Sequence, residues 1–176
     1  MRLALLPLAL IACSSVFSPS AIGLRQQPAE GGGFRYLHRE SRIAFVMPVL
    51  ASGGEREQDD AGFERLVVDT QADGTLYRVV VMRPIDGSEV VPADAITLLA
   101  DGLGRGQSPT RDDPTMVGSH AARRLTVGHA DRQGGQAAFL VTADDGALVI
   151  MEVVGTSPVD PRADAFFGSL ELGCEH

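Results

Sequence analysis

The sequence predicts an α+β fold, in which a mostly antiparallel sheet is covered by helices on both faces. Three observations lead to this fold class. Short runs rich in β-branched residues are joined by Asp-Gly and Gly-rich turns, two of the runs are apolar on both faces, and two other segments have amphipathic helical spacing. A strand that is apolar on both faces has to be covered from both sides, and the amphipathic segments are the expected covers.

The N-terminal half of the chain predicts one strand and one hairpin. An alternating apolar run over residues 43–47 ends at Pro48, which cannot continue a central strand. Two longer runs, residues 63–70 and 75–83, flank Asp73-Gly74, a dipeptide typical of tight hairpin turns. We therefore expect these two runs to pair as antiparallel strands.

The C-terminal half predicts a three-stranded antiparallel meander. Its runs cover residues 124–132, 136–143 and 147–154. They are separated by Gln133-Gly134-Gly135 and by Asp144-Asp145-Gly146, both of which are rich in turn-forming residues. The short connections favour pairing between consecutive runs.

Two segments are predicted to be the covering helices. Residues 76–82 and 147–154 are the runs with apolar side chains on both faces, so both sides of the sheet require cover. The first helix is predicted over residues 92–104 and the second over residues 160–172, where Asp160 and Pro161 provide a cap and a first-turn proline. The second helix has an apolar stripe at i, i+3, i+4 and i+7, formed by Ala163, Phe166, Phe167 and Leu170.

The order of these elements, with the closing run DAFFGSLEL, resembles the PsbP-like α/β/α sandwich proteins. The resemblance covers roughly residues 34–172 and implies a single globular domain over residues 34–176. Many members of that family are small bacterial lipoproteins. Others include an extrinsic subunit of photosystem II and a partner of a nuclear GTPase, with no chemistry in common. The resemblance therefore implies a fold, and it carries no catalytic motif to this chain.

The first residues have the layout of a signal peptide. Arg2 precedes the apolar run Leu3–Ala12, which is too short to span a membrane as a helix. The motif Leu10-Ile11-Ala12-Cys13 resembles the lipobox of bacterial lipoproteins, in which the cysteine sulfur receives a diacylglyceryl group and the chain is cut before it. The resemblance implies a signal peptide over residues 1–12, lipidation of Cys13 and a membrane-anchored protein of the bacterial cell envelope. The alternatives are a cysteine without lipid and a conventional cleavage site at Pro19-Ser20-Ala21, whose proline is unfavourable.

Residues 13–33 are predicted to be a flexible tether. They are rich in Ser, Pro, Gln and Gly and have no sustained apolar period. A random coil of this length would hold the domain about 25 Å from the membrane. A disordered end without a role fits the same composition.

Charge and composition exclude several classes of partner. The net charge of −8 argues against nucleic acid and against anionic lipid bound through charge. All 15 basic residues are arginine, which excludes Schiff-base and P-loop lysine chemistry. The glycine-rich run Gly102–Gly106 follows a predicted helix, whereas a phosphate loop precedes one, so we expect no nucleotide and no other cofactor.

No catalytic motif is present, and we assign no catalytic residue. The candidate ligand or ion contacts are Asp112, Asp113 and Glu152. The two aspartates lie in residues 105–118, a polar segment predicted to be a long loop, and such loops are often functional or disordered. Glu152 interrupts an apolar strand, and we expect it to pair with Arg78 or Arg124, although a buried carboxylate can also mark a site.

Histidine and cysteine residues do not form a metal motif. The four histidines are His38, His120, His129 and His176, and their spacing matches no known ligand set. In an extended segment, Ser119 and His120 would point to opposite faces of the strand. This argues against Ser119 acting as a catalytic nucleophile with His120 as its general base. Cys174 has no partner within the chain if Cys13 carries lipid, and it is then either a free thiol or a link between molecules.

The sequence thus predicts a lipid-anchored envelope protein with a non-enzymatic binding or accessory role. Its expected partners are the membrane, through Cys13, and other envelope proteins. The alternative is a small-ligand-binding or hydrolytic envelope protein that uses the 105–118 segment. A third possibility is a redox-linked dimer through Cys174.

Overall fold

The computed structural model describes residues 17–58, 62–85, 111–128, 135–142, 146–155 and 161–174. A short 3-10 turn at Pro19–Ile22 comes first, and helix α1 spans Pro161–Gly168. The strands are β1 (Leu24–Pro28), β2 (Phe34–His38), β3 (Ile43–Met47), β4 (Gly53–Gln58), β5 (Phe63–Ala72), β6 (Thr75–Pro84), β7 (Arg111–Val117), β8 (His120–Gly128), β9 (Gly135–Thr142), β10 (Leu148–Gly155) and β11 (Glu171–Leu172).

The strands form two antiparallel sheets. The larger has seven strands in the order β4-β5-β6-β10-β9-β8-β7, and the smaller has four in the order β1-β2-β3-β11. In the larger sheet, β6 and β10 join the N-terminal strands to the C-terminal meander, with Val79 opposite Met151 and Val80 opposite Ile150. Strand β10 is apolar except for Glu152, and β6 carries a run of three valines at residues 79–81, which suits both strands to the middle of the sheet.

The smaller sheet and α1 pack against one face of the larger sheet, which we call the inner face. The inner face is formed by alternate buried residues of its central strands, Leu66, Val68, Tyr77, Val79, Val81, Val149, Met151 and Val153. Tyr36 and Phe45 of the smaller sheet stack on each other at 5.7 Å, and Phe166 of α1 meets the edge of Tyr77 at 5.4 Å. All four rings belong to one apolar cluster, so the two sheets and the helix share a single core.

The predicted α+β fold class, a sheet covered by helices on both faces, is wrong: the described residues form a mostly antiparallel β structure. Among the described residues, strands dominate, α1 is the one α-helix, and a second sheet shares the core on the inner face. The reason lies in residues 24–47, which form their own sheet. Alternation predicts a strand and its buried side, but it does not say which sheet the strand joins.

Burial on both faces of the larger sheet is confirmed. The opposite side, which we call the outer face, also carries buried apolar residues, namely Val67, Val80, Leu125, Leu148 and Ile150. The helix predicted over residues 92–104 lies outside the described residues.

The hairpin and the meander are confirmed. Strands β5 and β6 pair across Asp73 and Gly74, whose φ angles of 50° and 78° are those of the tight turn that the dipeptide favours. Strands β8, β9 and β10 pair consecutively, as the short connections indicated.

The C-terminal helix is confirmed, but it is shorter than predicted. Its stripe is buried, with Phe166 3% and Phe167 4% exposed. The helix ends at Gly168, where the Ser169 hydroxyl donates to the Phe166 carbonyl and accepts from the Val46 amide. The chain then pairs with β3 as β11, which the helical spacing did not predict.

The predicted tether is largely folded. Residues 19–28 form the 3-10 turn and β1, and β1 pairs with β2 along its whole length. Ile22 and Leu24 are buried in the shared core. Four of the five residues of β1 face solvent on an edge strand, and its polar residues Arg25, Gln26 and Gln27 give it a composition that resembles that of a linker. Residues 1–16, including the predicted signal peptide and Cys13, lie outside the described residues.

The predicted loop at residues 105–118 contains a β-strand, which begins at Arg111. Residues 111–117 form β7, an edge strand that pairs with β8 through a turn at Gly118. Pro114 is tolerated there because an edge strand does not need every amide for pairing. Residues 105–110 lie outside the described residues.

The apolar stripe of α1 should dominate the stability of the domain. We expect Phe166→Ala to lower the free energy of unfolding by about 3–5 kcal/mol, because it leaves a cavity against Tyr77. Urea denaturation followed by circular dichroism measures this loss. The control is Ala165→Ser at an exposed neighbouring position of the same helix, which should cost less than about 0.7 kcal/mol. Equal losses in the two variants would contradict the packing described above.

Candidate functional site

The predicted contact residues do not form one site. Asp113 lies opposite Arg124 on the inner-face side of β7, whereas Glu152 lies opposite Arg78 on the outer face of β10. Three strand spacings, about 14 Å, separate β7 from β10. The backbone of Asp112 belongs to β7, but its side chain is outside the described residues.

Glu152 is held in an ion-pair network on the outer face. Its side chain is 12% exposed, and its Oε2 lies 4.0 Å from a guanidinium nitrogen of Arg78. Arg78 also approaches Asp69 at 3.5 Å, so one arginine bridges acids on the two flanking strands. The predicted pairing with Arg78 is confirmed. Arg124 is not its partner, because it lies on the other face and pairs with Asp164.

The described histidines and carboxylates do not cluster as metal ligands. No group of three or more His, Cys, Asp or Glu side chains is arranged for a metal within the described ranges. The Nδ1 atom of His120 lies 3.2 Å from the Val117 carbonyl oxygen, within the β7–β8 turn. His129 and His176 lie outside the described residues.

Cys174 is half-buried beside an acid. Its sulfur is 3.6 Å from Glu171 Oε2, and burial together with this carboxylate raises the pKa of the thiol. A raised pKa keeps the sulfur protonated at neutral pH, and the thiol is a poor nucleophile in that form. This environment does not favour a catalytic or redox role for Cys174.

One cavity lies between α1 and the β7–β8 hairpin. It has a volume of about 380 Å³ and is lined by residues 115–118 and by side chains that include Arg124, Asp164 and Phe167. The Arg124 guanidinium carbon is 5.3 Å from the centre of the Phe167 ring, a cation–π distance. Arg124 also pairs with Asp164, which leaves its buried Nε–H without a hydrogen-bond acceptor.

A second cavity, of about 290 Å³, lies at the other end of α1. Its walls are the turn at residues 31–33 and the apolar side chains of Val46, Pro48 and Phe166. Arg162 stands at its rim and pairs with Asp73 at 2.6 Å. The arginine is therefore already neutralised, and the interior of this cavity is mainly apolar.

The most concentrated group of charges closes the seam between the two sheets. We call it the charge ring, and its members are Glu40, Arg56, Glu64 and Arg83. Arg56 contacts Glu40 at 2.7 Å and Glu64 at 2.5 Å, and Arg83 contacts Glu40 at 2.5 Å and Glu64 at 2.6 Å. Each arginine thus bridges both acids. Burial raises the pKa of the Glu64 carboxyl, but the hydrogen bonds from Arg56 and Arg83 outweigh burial and bring that pKa below its ordinary value of 4.5.

His38 lies buried beside the charge ring. It is 2% exposed, and neither ring nitrogen has a hydrogen-bond partner. Gly23 lies close to both His38 and Arg56, so the 3-10 turn also closes over this seam. Burial lowers the pKa of His38, and the nearby arginines lower it further, while Glu40 and Glu64 oppose the shift. The imidazole is therefore neutral at pH 7.

Sequence reasoning missed the charge ring because its members come from four separate elements. One contact of the charge ring, between Glu64 and Arg83, could have been predicted from the sequence. A hairpin centred on Asp73-Gly74 places Glu64 directly opposite Arg83, and the structure has that register. The positions of Glu40 and Arg56 depend on how the two sheets pack, and sequence spacing carries no information about that.

Comparison with known proteins adds no family assignment. No protein-family model matches the chain, and no curated protein matches it. Within the described ranges, no helix combines the length and apolar character needed to cross a bilayer.

The buried His38 should make stability depend on pH. Because its pKa is lowered in the folded state, the unfolded chain takes up a proton at higher pH than the folded chain. The stability contributed by neutral His38 is present above its ordinary pKa of 6.5 and is lost as the pH falls below it. We expect His38→Leu to flatten the decline of the unfolding free energy below pH 6.5, as measured by urea denaturation at several pH values.

The charge ring provides the internal control for this experiment. The lowered pKa of Glu64 contributes stability that is present above pH 4.5 and is lost at lower pH. The decline of the unfolding free energy below pH 4.5 should therefore persist in His38→Leu. An unchanged profile between pH 6.5 and 5 in the variant would show that His38 is not the titrating group.

Proposed function

We propose that the protein is a lipid-anchored component of the bacterial cell envelope, attached through Cys13, with a non-enzymatic binding or accessory role. The motif Leu10-Ile11-Ala12-Cys13 and the apolar run before it support the anchor. Two acyl chains or more make such attachment stable, because each buried CH₂ contributes about 0.8 kcal/mol.

The observation that carries the proposal is the packing of Phe17. Its ring lies against Gly54 of β4 and beside Ile22, and it extends the shared core. Conventional cleavage after Ala21 would remove Phe17 and cut the 3-10 turn. Cleavage before Cys13 would leave every described element in the mature chain. The packing of Phe17 therefore favours cleavage before Cys13 over conventional cleavage after Ala21.

The accessory role is supported by how the described charges are used. Arg124 pairs with Asp164, Arg162 pairs with Asp73, and the charge ring closes on itself. Arginine and carboxylate groups paired in this way stabilise structure. A general acid or base would instead need a titratable group that can exchange a proton with a bound substrate.

Metabolic labelling with a clickable palmitate tests the anchor. Wild-type protein should label and sediment with membranes, and Cys13→Ser should do neither, because the acceptor sulfur is gone. The matched control is Cys174→Ser, which removes the other cysteine and should label as the wild type does. Wild-type protein that carries no label and stays in the soluble fraction would refute the proposal.

The 380 Å³ cavity favours a second candidate function, the binding of a small carboxylate. Residues 115–118 of the predicted loop line this cavity together with Arg124 and Phe167. A ligand carboxylate would accept from the terminal N–H groups of the Arg124 guanidinium while its apolar part contacts Phe167. Neither Glu152 nor Cys174 lines the cavity, so we do not extend this candidate to hydrolysis.

Thermal denaturation with a panel of small carboxylates tests this candidate. A ligand that binds the folded protein raises the melting temperature. Arg124→Gln should abolish the rise. Asp164→Asn should enlarge it, because the competing carboxylate is removed. Equal responses in the wild type and in Arg124→Gln would exclude this cavity as the binding site.

A further inference from the structure

We propose that one particular surface of the domain rests on the bilayer. It consists of the exposed residues Ser18 and Ala21 of the N-terminal turn and Val49 and Leu50 of the β3–β4 loop, and we call it the anchor-side surface. The inference rests on the proposed lipid at Cys13. It adds to that proposal an orientation of the domain and a second contact with the membrane.

The chain between the lipid and the fold has a short reach. Phe17 is four residues after Cys13, and four fully extended residues span at most about 14 Å. The predicted tether would have allowed about 25 Å. A lipid at Cys13 therefore brings the region around Phe17 to the headgroup layer.

Phe17 is fixed to the domain. It packs on Gly54 in β4, which pairs with Val68 in β5, and Ile22, which is 8% exposed, packs at the same glycine. The residue at which the anchored segment enters the described fold is therefore packed against the shared core. Because Phe17 has a fixed position on the domain, only the side of the domain around Phe17 can face the membrane.

An apolar loop, between β3 and β4, lies close to Phe17. The Thr70 hydroxyl donates to the Leu50 carbonyl at 2.8 Å, and Thr70 is two residues along β5 from Val68, the partner of Gly54. Two residues of a strand span about 7 Å. The loop therefore lies within a short distance of the Phe17 contact.

The loop is held in place while its apolar side chains stay exposed. The Ala51 amide donates to the buried Tyr36 hydroxyl at 2.8 Å, and Ala51 itself is buried. Val49 is 39% exposed and Leu50 is 51% exposed. A rigid turn that presents two apolar side chains beside a lipid attachment point fits the interfacial zone of a bilayer, where such side chains leave water.

Charge does not drive this contact. The chain has a net charge of −8, and the exposed acids Glu30 and Glu55 lie on neighbouring segments. These groups would be repelled by an anionic membrane, so the contact has to depend on apolar insertion of the loop tip. It should form on neutral phosphatidylcholine vesicles and should not require anionic lipid.

A single tryptophan can report this contact because the chain has none of its own. The acylated full-length protein carrying Leu50→Trp is reconstituted in phosphatidylcholine vesicles with brominated chains, and its fluorescence is compared with that in unbrominated vesicles. The matched control is Met116→Trp, at an apolar residue that is 58% exposed on β7. Strand β7 is six strand spacings, about 29 Å, from β4.

The expected result is a shift to shorter wavelength and a large loss of emission in Leu50→Trp, with neither in Met116→Trp. Equal quenching of the two variants, or quenching of neither, in protein that carries palmitate would overturn the orientation and leave the lipid anchor standing. Protein that takes up no palmitate would overturn both proposals. The labelling measurement and the quenching measurement therefore separate the two failures.

Discussion

The structure depends on the apolar contact between the inner face of the seven-stranded sheet and the layer that covers it. Val79 and Met151 from the two central strands meet the aromatic side chains of the smaller sheet and of α1 in one cluster. A sheet cannot leave such a face in water, because each buried apolar side chain contributes about 1.5–3 kcal/mol to folding. The same contact positions the two cavities and the charge ring, which lie where the layers meet or end.

The edges of this contact are closed by arginine and carboxylate pairs. At the seam between the two sheets, Arg56 and Arg83 each bridge both Glu40 and Glu64. At the helix, Arg124 pairs with Asp164. Pairs of this kind are partly exposed and contribute little stability one by one, but a closed network keeps charge out of the core and fixes the approach of the layers. His38 lies just inside the ring, where burial keeps it neutral.

The start of the fold also sets the geometry of the proposed anchor. Because Phe17 packs into the core only four residues after Cys13, a lipid at that cysteine would act on a rigid body and not through a long linker. A domain held in this way would present a constant face to the bilayer and leave its remaining surface open. The 380 Å³ cavity lies beside β7, at the opposite edge of the larger sheet from β4, and would be accessible in that arrangement.

Local patterns in the sequence determined the hairpin at Asp73-Gly74, the meander and the apolar stripe of α1, because each depends on residues close together in the chain. Pairing of Glu152 with Arg78 was predictable for a related reason, since neighbouring strands place their residues side by side. Only the tertiary structure decided that residues 24–47 form a separate sheet, that residues 19–28 are folded, and that the charge ring exists. Hydrophobic alternation states which side of a strand is buried but not what it is buried against. The layer arrangement, and every contact across it, therefore had to come from the folded chain.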